Sequence, residues 1–296
     1  MIAEAAKRLN DFFDSFVAGV TPLLLLDYDG TLAPFRVDRF QARPWAGVQE
    51  LLTRIERQGR TRIVVITGRP AQEVIPLLGI DPPLEVWGLH GAERLFPDGH
   101  RELEESPAAS REKLEMLRTI LKRNGFGGLF EDKANGVVMH WRGVSPHKEK
   151  LIQQKVRALF EPLAGTDGLT LLEFEAGLEL RVGRDKGGAV EAILREADPD
   201  AQVAYLGDDW TDEAAFRAVN KIGARGLSVL MRSQWHDTAA GVWLRPPVEL
   251  KAFLRNWLQA KKPLHDVFAD EYKDSNYEER RNSSLPRTET HILSKA

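Results

Sequence analysis

Residues 23–32 read LLLLDYDGTL. Four consecutive leucines suit a strand buried on both faces, as in a parallel sheet. Gly30 ends that strand in a turn. Asp27 and Asp29 are thereby delivered at the carboxyl end of a central strand, where open α/β sheets bind ligands. Taken alone, an Asp-x-Asp pair is as well explained by a solvated turn, so its meaning depends on the rest of the chain.

Similar runs follow. Arg62–Ile66 (RIVVI) and Leu84–Leu89 predict two more strands, with helices over Pro44–Arg57 and Pro70–Leu78 between them. Further on, Lys186–Glu196, Thr211–Val219 and Pro247–Gln259 predict helices, and Val203–Leu206, Gly226–Met231 and Val242–Leu244 predict strands. This order predicts an α/β protein with a Rossmann-like, doubly wound parallel sheet. The stretch between differs. Helices at Ser110–Arg123 and Pro146–Leu159 surround a turn at Gly125–Phe130 and strands at Gly136–Trp141, Leu169–Phe174 and Leu178–Val182, the last two joined by a turn at Ala176-Gly177. That mixture predicts an inserted α+β cap domain. The expected division is a first core segment over 1–104, the cap over 105–182, a second core segment over 183–262, and a polar, disordered tail over 263–296 with one helical turn near Val267–Tyr272.

The composition sets outer limits. With 296 residues the chain can bury one large core or two modest ones. It has no cysteine, which excludes disulfides and thiolate metal sites. A net charge of −3 argues against a broad nucleic-acid-binding surface. No apolar run is long enough to span a membrane, and residues 1–16 read as an amphipathic helix, not an export signal. The expectation is a cytoplasmic protein acting on a small molecule, with no nucleic-acid or membrane partner.

Four features fall just past predicted strand ends or at helix starts: Asp27 with Asp29, Thr67, Lys186, and Asp208 with Asp209 and Asp212. A carboxylate can act as a nucleophile toward phosphorus. A phosphate dianion does not approach one unaided, because each pair of like unit charges at ~4 Å costs roughly 4 kcal/mol at an effective dielectric of about 20. A cation must intervene, and Mg²⁺ does so with few carboxylates plus water and phosphate oxygens. Asp27 and Asp208 can supply those carboxylates, Lys186 a second positive charge, and Thr67 a hydroxyl donor. Asp29 is left for proton transfer. Simpler roles stand beside these: Thr67 and Asp208 as helix caps, Lys186 as a surface lysine, and His90 as an ordinary core histidine, the reading preferred for it.

This set resembles the haloacid dehalogenase superfamily of aspartate-nucleophile phosphotransferases. It implies that Asp27 is nucleophile and metal ligand, that Asp29 is acid/base and lends its carbonyl to the metal, that Asp208 is a second ligand, and that Asp212 holds metal-bound water or Lys186. Together with Thr67-Gly68-Arg69, His90-Gly91-Ala92-Glu93, Glu131-Asp132-Lys133, His140-Trp141-Arg142 and Glu179-Leu180-Arg181, the pattern over Leu23–Leu258 is similar to the trehalose-6-phosphate phosphatase family. That resemblance implies a Mg²⁺-dependent phosphatase whose cap reads a disaccharide through Glu131, Lys133 and Glu179. Carboxylate acceptors and one ammonium donor suit a ligand rich in hydroxyls. Arg69, His140 and Arg142 are further substrate-binding candidates, and Trp141 and Trp210 could edge the sugar. Thr67 stands where the family usually has serine, and Val182-Gly183 where it usually has proline. Phosphatases of sucrose phosphate, mannosyl-phosphoglycerate or glucosylglycerol phosphate share the core chemistry, and a catalytically silent sugar-phosphate-binding module is the alternative of another class. A trehalose-phosphate synthase is a candidate partner that the sequence does not demonstrate.

Overall fold

Leu24 and Leu26 pack into one apolar cluster, whereas Leu23 and Leu25 pack into another. The strand they form, β1 (Leu23–Leu26), is therefore covered on both faces, which explains a run without a polar residue. Each such leucine contributes roughly 2 kcal/mol of burial. A computed structural model shows this arrangement and describes residues 2–17, 19–126, 128–133, 135–141, 143–174 and 177–259. Arg142, Ala176 and the tail 263–296, each the subject of an expectation above, lie outside the described residues.

The elements in chain order are α1 (Ile2–Asp14), β1, α2 (Val48–Arg57), β2 (Arg62–Ile66), α3 (Ala71–Leu78), β3 (Glu85–Gly88), β4 (Glu93–Leu95), β5 (Arg101–Leu103), α4 (Ala108–Arg123), β6 (Phe130–Lys133), β7 (Gly136–His140), α5 (Pro146–Phe160), β8 (Leu169–Phe174), β9 (Gly177–Val182), α6 (Lys186–Glu196), β10 (Val203–Gly207), α7 (Glu213–Asn220), β11 (Gly226–Met231), β12 (Val242–Leu244) and α8 (Val248–Gln259). Eight strands form the larger sheet, in the order β12-β11-β10-β1-β2-β3-β4-β5. Strands β12 through β3 run parallel, while β4 and β5 extend the sheet antiparallel. Helices α1, α2, α3 and α8 cover one face, and α6 and α7 the other. The doubly wound expectation holds. Because β1 lies between β2 and β10, the chain reverses its direction of travel at β1, and a crevice opens at the carboxyl ends of these three strands.

The smaller sheet has the order β6-β7-β9-β8, antiparallel throughout. One face carries Val137, Met139, Leu178 and Leu180 and packs on α4 and α5. Alternation along the strands puts Glu131, Lys133, Val138 and Glu179 on the opposite face. Pairing aligns Glu131 with Val138 and Val138 with Glu179, so these form a row across the sheet.

Three strands were not expected. β4, β5 and β6 are short and rich in charged residues, so they lack the apolar signal of a buried strand. Helix α2 starts at Val48 and not at Pro44, because Gly47 precedes it in the left-handed region (φ 83°). A 3₁₀ turn over Trp210–Asp212, capped by Asp209, delays α7 to Glu213.

Candidate active site

Asp27 follows β1 directly and its N–H donates to the Leu206 carbonyl on β10 (2.8 Å). That bond ties the loop after β1 to the strand that delivers Asp208. Gly30 (φ 84°) makes the approach feasible, since a Cβ there would collide with the Asp208 carboxylate. From the start of α6, Lys186 donates through Nζ to Asp27 Oδ1 and Asp212 Oδ1, both at 2.7 Å. Asp27, Asp208, Asp212 and Lys186 are all at most 4% exposed. Three carboxylates are thus buried around one ammonium, which bonds two of them. Burial first, then the neighbouring carboxylates, push the pKa of Asp27 and of Asp208 upward, with Lys186 opposing. Burial works against the Lys186 ammonium, but Asp212 and Asp27 outweigh it and raise its pKa.

Asp212 is fully engaged. Its Oδ1 accepts from Lys186 and from Tyr205 Oη, and its Oδ2 accepts from the N–H groups of Asp208 and Asp209 (3.0 Å each). A carboxylate has about four acceptor positions, so this one organises its neighbours. Asp27 Oδ2, in contrast, is buried without a partner. One oxygen each of Asp27, Asp208 and Asp212 lie within 4.8 Å of one another. A hard divalent cation fits this all-oxygen set, since it would relieve the charge excess of three carboxylates buried side by side.

The loop after β2 contributes Thr67, whose Oγ1 accepts from the Arg69 N–H (3.2 Å). Arg69 turns to Asp29 in a fork: Nε to Oδ2 at 2.6 Å, and Nη2 to Oδ1 at 2.5 Å. Its third nitrogen donates to the Arg39 carbonyl (2.6 Å). Arg69, a candidate for the substrate, is therefore engaged with the acid/base candidate.

From the smaller sheet, Lys133 Nζ donates to Glu179 Oε1 (3.3 Å). Glu131 is held by Arg39 Nη1 (2.7 Å) and His140 Nε2 (3.2 Å). The His140 contact, helped by Lys133 and Arg39 against partial burial, draws the Glu131 pKa down to about 2. Burial opposes ionisation of Glu179, but positive charge around it, that of Lys133 first, outweighs burial and holds its pKa below the usual range. A cavity of about 290 Å³ joins both sheets; Asp27, Thr67 and Lys186 line its core side, and Glu131, Lys133 and Glu179 face them. Asp29, Arg69, His140 and Asp208 also line it. Asp212 sits behind, and neither tryptophan singled out above borders the cavity: Trp141 belongs to the apolar cluster of the smaller sheet, and Trp210 stacks on His236 (4.6 Å).

Two residues were missed. Arg39 bridges Glu73 on α3 and Glu131 on β6, but its loop carries no local pattern that announces this. His90 is buried as expected, yet it lines the cavity and its Nδ1 has no partner. Its place in the His-Gly-Ala-Glu run was the available signal. In that run Glu93 has a structural task, accepting from the Ala71 N–H at the start of α3 (2.7 Å) and from Arg101.

The larger sheet, the inserted sheet and the acidic crevice together define a haloacid dehalogenase-like hydrolase fold. A haloacid dehalogenase-like hydrolase from B. subtilis superposes with a TM-score of 0.57 at 18% identity, covering 82% of this chain and all (100%) of that one. Residues 25–242 match the family model described as trehalose-phosphatase, and the chain belongs to that family. The trehalose-phosphate phosphatase of Mycolicibacterium paratuberculosis is 31% identical over 239 residues, covering 78% of this chain and 59% of that protein. The chain thus spans about three fifths of that relative's length. The C-terminal domain of C. albicans trehalose-6-phosphate phosphatase superposes with a TM-score of 0.69 at 21% identity, covering 85% of this chain and 95% of that one. Among the described residues, no helix is long and apolar enough to cross a membrane.

Proposed function

We propose that the chain hydrolyses trehalose 6-phosphate to trehalose and phosphate through an aspartyl-phosphate on Asp27. The observation that carries the reading is the asymmetry of Asp27, which lines the cavity: Oδ1 is pinned by Lys186, and Oδ2 is buried without a partner. A carboxylate held in one orientation with free lone pairs is suited to attack phosphorus.

Asp27 and Asp208 would hold Mg²⁺, with Asp212 behind them; bound there, the ion offsets the repulsion between the carboxylates and the phosphate dianion. Lys186 and the Thr67 hydroxyl face the phosphoryl oxygens. As the phosphoryl group passes to Asp27, the sugar oxygen leaves and takes a proton from Asp29. Asp29 then accepts a proton from the water that attacks the acyl phosphate. Arg69 fixes the direction of Asp29 between these events, and protonation of Asp29 requires the fork to loosen.

Residues 105–182 serve in this reading as the cap. Its Glu131 and Glu179 accept from sugar hydroxyls, and Lys133 donates. His140 and Arg39 orient Glu131. The reading is tested by phosphate release across a panel of trehalose, sucrose, mannosyl-phosphoglycerate and glucosylglycerol phosphates, with Mg²⁺ and with excess chelator. Trehalose 6-phosphate is expected to have the highest kcat/KM, and turnover is expected to vanish with chelator. Preference for another member of the panel overturns the substrate; no release from any of them favours a silent binding module.

A further inference from the structure

His90 sits in a costly backbone conformation. It and Leu89 have φ of 58° and 50°, in the left-handed region where residues other than glycine are uncommon. Two hydrogen bonds to the loop after β2 hold them there: Leu89 N–H to the Arg69 carbonyl (2.9 Å) and His90 N–H to the Thr67 carbonyl (2.8 Å). Strain of this kind persists only where the surroundings enforce it, and it collects at functional sites. The imidazole is carried onto that loop: a Cβ at Gly68 would lie 2.6 Å from both Cε1 and Nε2 of His90. Any other residue at position 68 would displace the ring. His90 Nε2 lies 3.5 Å from Glu179 Oε2, while Lys133 holds Oε1.

The two ring nitrogens are not equivalent. Nδ1 is buried and has no partner. A proton there would be an unsatisfied buried donor, so the proton belongs on Nε2, which faces a carboxylate. The imidazole is neutral, and burial agrees, lowering its pKa to about 4 against the pull of Glu179.

We propose that His90 is a positioning residue for Glu179: from the core side, its Nε2–H directs the carboxylate that the smaller sheet presents to the sugar. Lys133 supplies the charge that keeps Glu179 ionised, and His90 supplies the direction. The contact joins the loop that places Thr67 to the residue that reads the sugar, so phosphate and sugar recognition share one support. This rests on the reading that Glu179 accepts from sugar hydroxyls.

The test measures kcat and KM of the full chain with Mg²⁺ on trehalose 6-phosphate and on p-nitrophenyl phosphate, for the wild type, His90→Leu, His90→Gln, Glu179→Gln and the His90→Leu/Glu179→Gln double variant. His90→Leu is expected to lose at least tenfold in kcat/KM on the sugar phosphate, mainly through KM, and at least fivefold more there than on the aryl phosphate. His90→Gln, whose amide nitrogen reaches the place of Nε2, should recover most of that loss. The double variant should be no more than twofold worse than Glu179→Gln, because the two residues act as one unit. Equal losses on both substrates, or losses that multiply in the double variant, overturn the inference. If Glu179→Gln is selective and His90→Leu is not, the inference alone fails. If Glu179→Gln is not selective, the reading of Glu179 fails and takes the inference with it. Should His90→Leu not fold, His90→Asn replaces it, since asparagine tolerates a left-handed backbone but is too short to reach Glu179.

Discussion

Arg69 holds Asp29 by two parallel hydrogen bonds, Nε to Oδ2 at 2.6 Å and Nη2 to Oδ1 at 2.5 Å, and Asp29 is two residues from Asp27. A fork of this kind fixes the plane of a carboxylate as well as its position. Lysine offers a point charge and cannot reproduce it. Arg69→Lys is therefore expected to lower kcat by roughly tenfold to a hundredfold, reaching the lower end of what general acid–base catalysis supplies, with a smaller change in KM. Steady-state kinetics check this, and a wild-type kcat in Arg69→Lys would show that the fork does not position Asp29.

The nucleophile assignment predicts an uncommon combination. Asp27→Asn removes one of three clustered buried carboxylates, two of which bond Lys186, while Lys186 keeps Asp212. Turnover should fall by at least about a thousandfold, as expected on losing a covalent nucleophile. Thermal stability without metal should not fall, and should rise as like-charge repulsion is relieved. Phosphate release and melting curves on the same preparation decide it; near-normal release would end the covalent mechanism.

Lys186 gives the opposite result. Lys186→Met leaves the three carboxylates with no ammonium, and breaking a buried ion pair from one side costs about 3–5 kcal/mol. The variant should melt well below the wild type in chelator. Mg²⁺ should recover part of the loss in the variant and raise the melting temperature of the wild type, whose unfolding free energy gains about 2.7 kcal/mol at a hundredfold excess over Kd. A melting temperature indifferent to Mg²⁺ in both proteins would take the metal out of the crevice.

How much of this was legible in the sequence depended on how local each signal is. The run Leu23–Leu26 announces its own double burial, and Asp27, Thr67 and Asp208 follow from where their strands end. The parallel core was readable for that reason. The short polar strands β4–β6 were not: β5 and β6 are edges that need no apolar run, and β4 is three residues long with a buried glutamate in place of an apolar signal. Partnership was harder still. Nothing near Arg69 in sequence shows that it faces Asp29, 40 positions away, and nothing near Arg39 shows that it meets Glu131, 92 positions away. His90 looked like core because it is buried; what separates it from core is an unpartnered nitrogen and a left-handed backbone, both visible only in three dimensions.

Burial of neutral His90 makes stability depend on pH in a defined window. In the unfolded chain the imidazole takes a proton near pH 6.5, whereas in the folded protein burial lowers that value to about 4. Between these values the unfolded state binds more protons, so the contribution of the neutral imidazole is full above about 6.5, declines as pH falls, and is gone by about pH 4. The full shift corresponds to about 3 kcal/mol. Glu131, with its pKa drawn down to about 2 by His140, gives up its contribution in a lower window, below about 4.5. Because the raised pKa values of Asp27 and Asp208 act in the opposite direction, the His90 contribution is read as a difference: as pH falls from 6.5 to 4, denaturation curves should show the wild type losing stability relative to His90→Gln. An unchanged slope between pH 6.5 and 4 in that variant would assign the decline to another group.

The division of labour between the two sheets is checked most directly at Glu131. Its carboxylate is held on one side by Arg39 and on the other by His140, so it is already oriented toward the cavity. It lies on the smaller sheet, whereas Asp27, Lys186 and Thr67 belong to the core around the large one. A substrate with no sugar has no hydroxyl to offer it. Glu131→Ala is therefore expected to cost about 1.5–3 kcal/mol on trehalose 6-phosphate, the range for a hydrogen bond to a charged group. That corresponds to a loss of roughly ten- to a hundredfold in kcat/KM. The loss on p-nitrophenyl phosphate should be several-fold smaller. Glu131→Gln keeps an acceptor oxygen but loses the attraction to Arg39, and should fall between the two. Equal losses on both substrates in Glu131→Ala would mean that this residue supports the core chemistry and does not read the sugar.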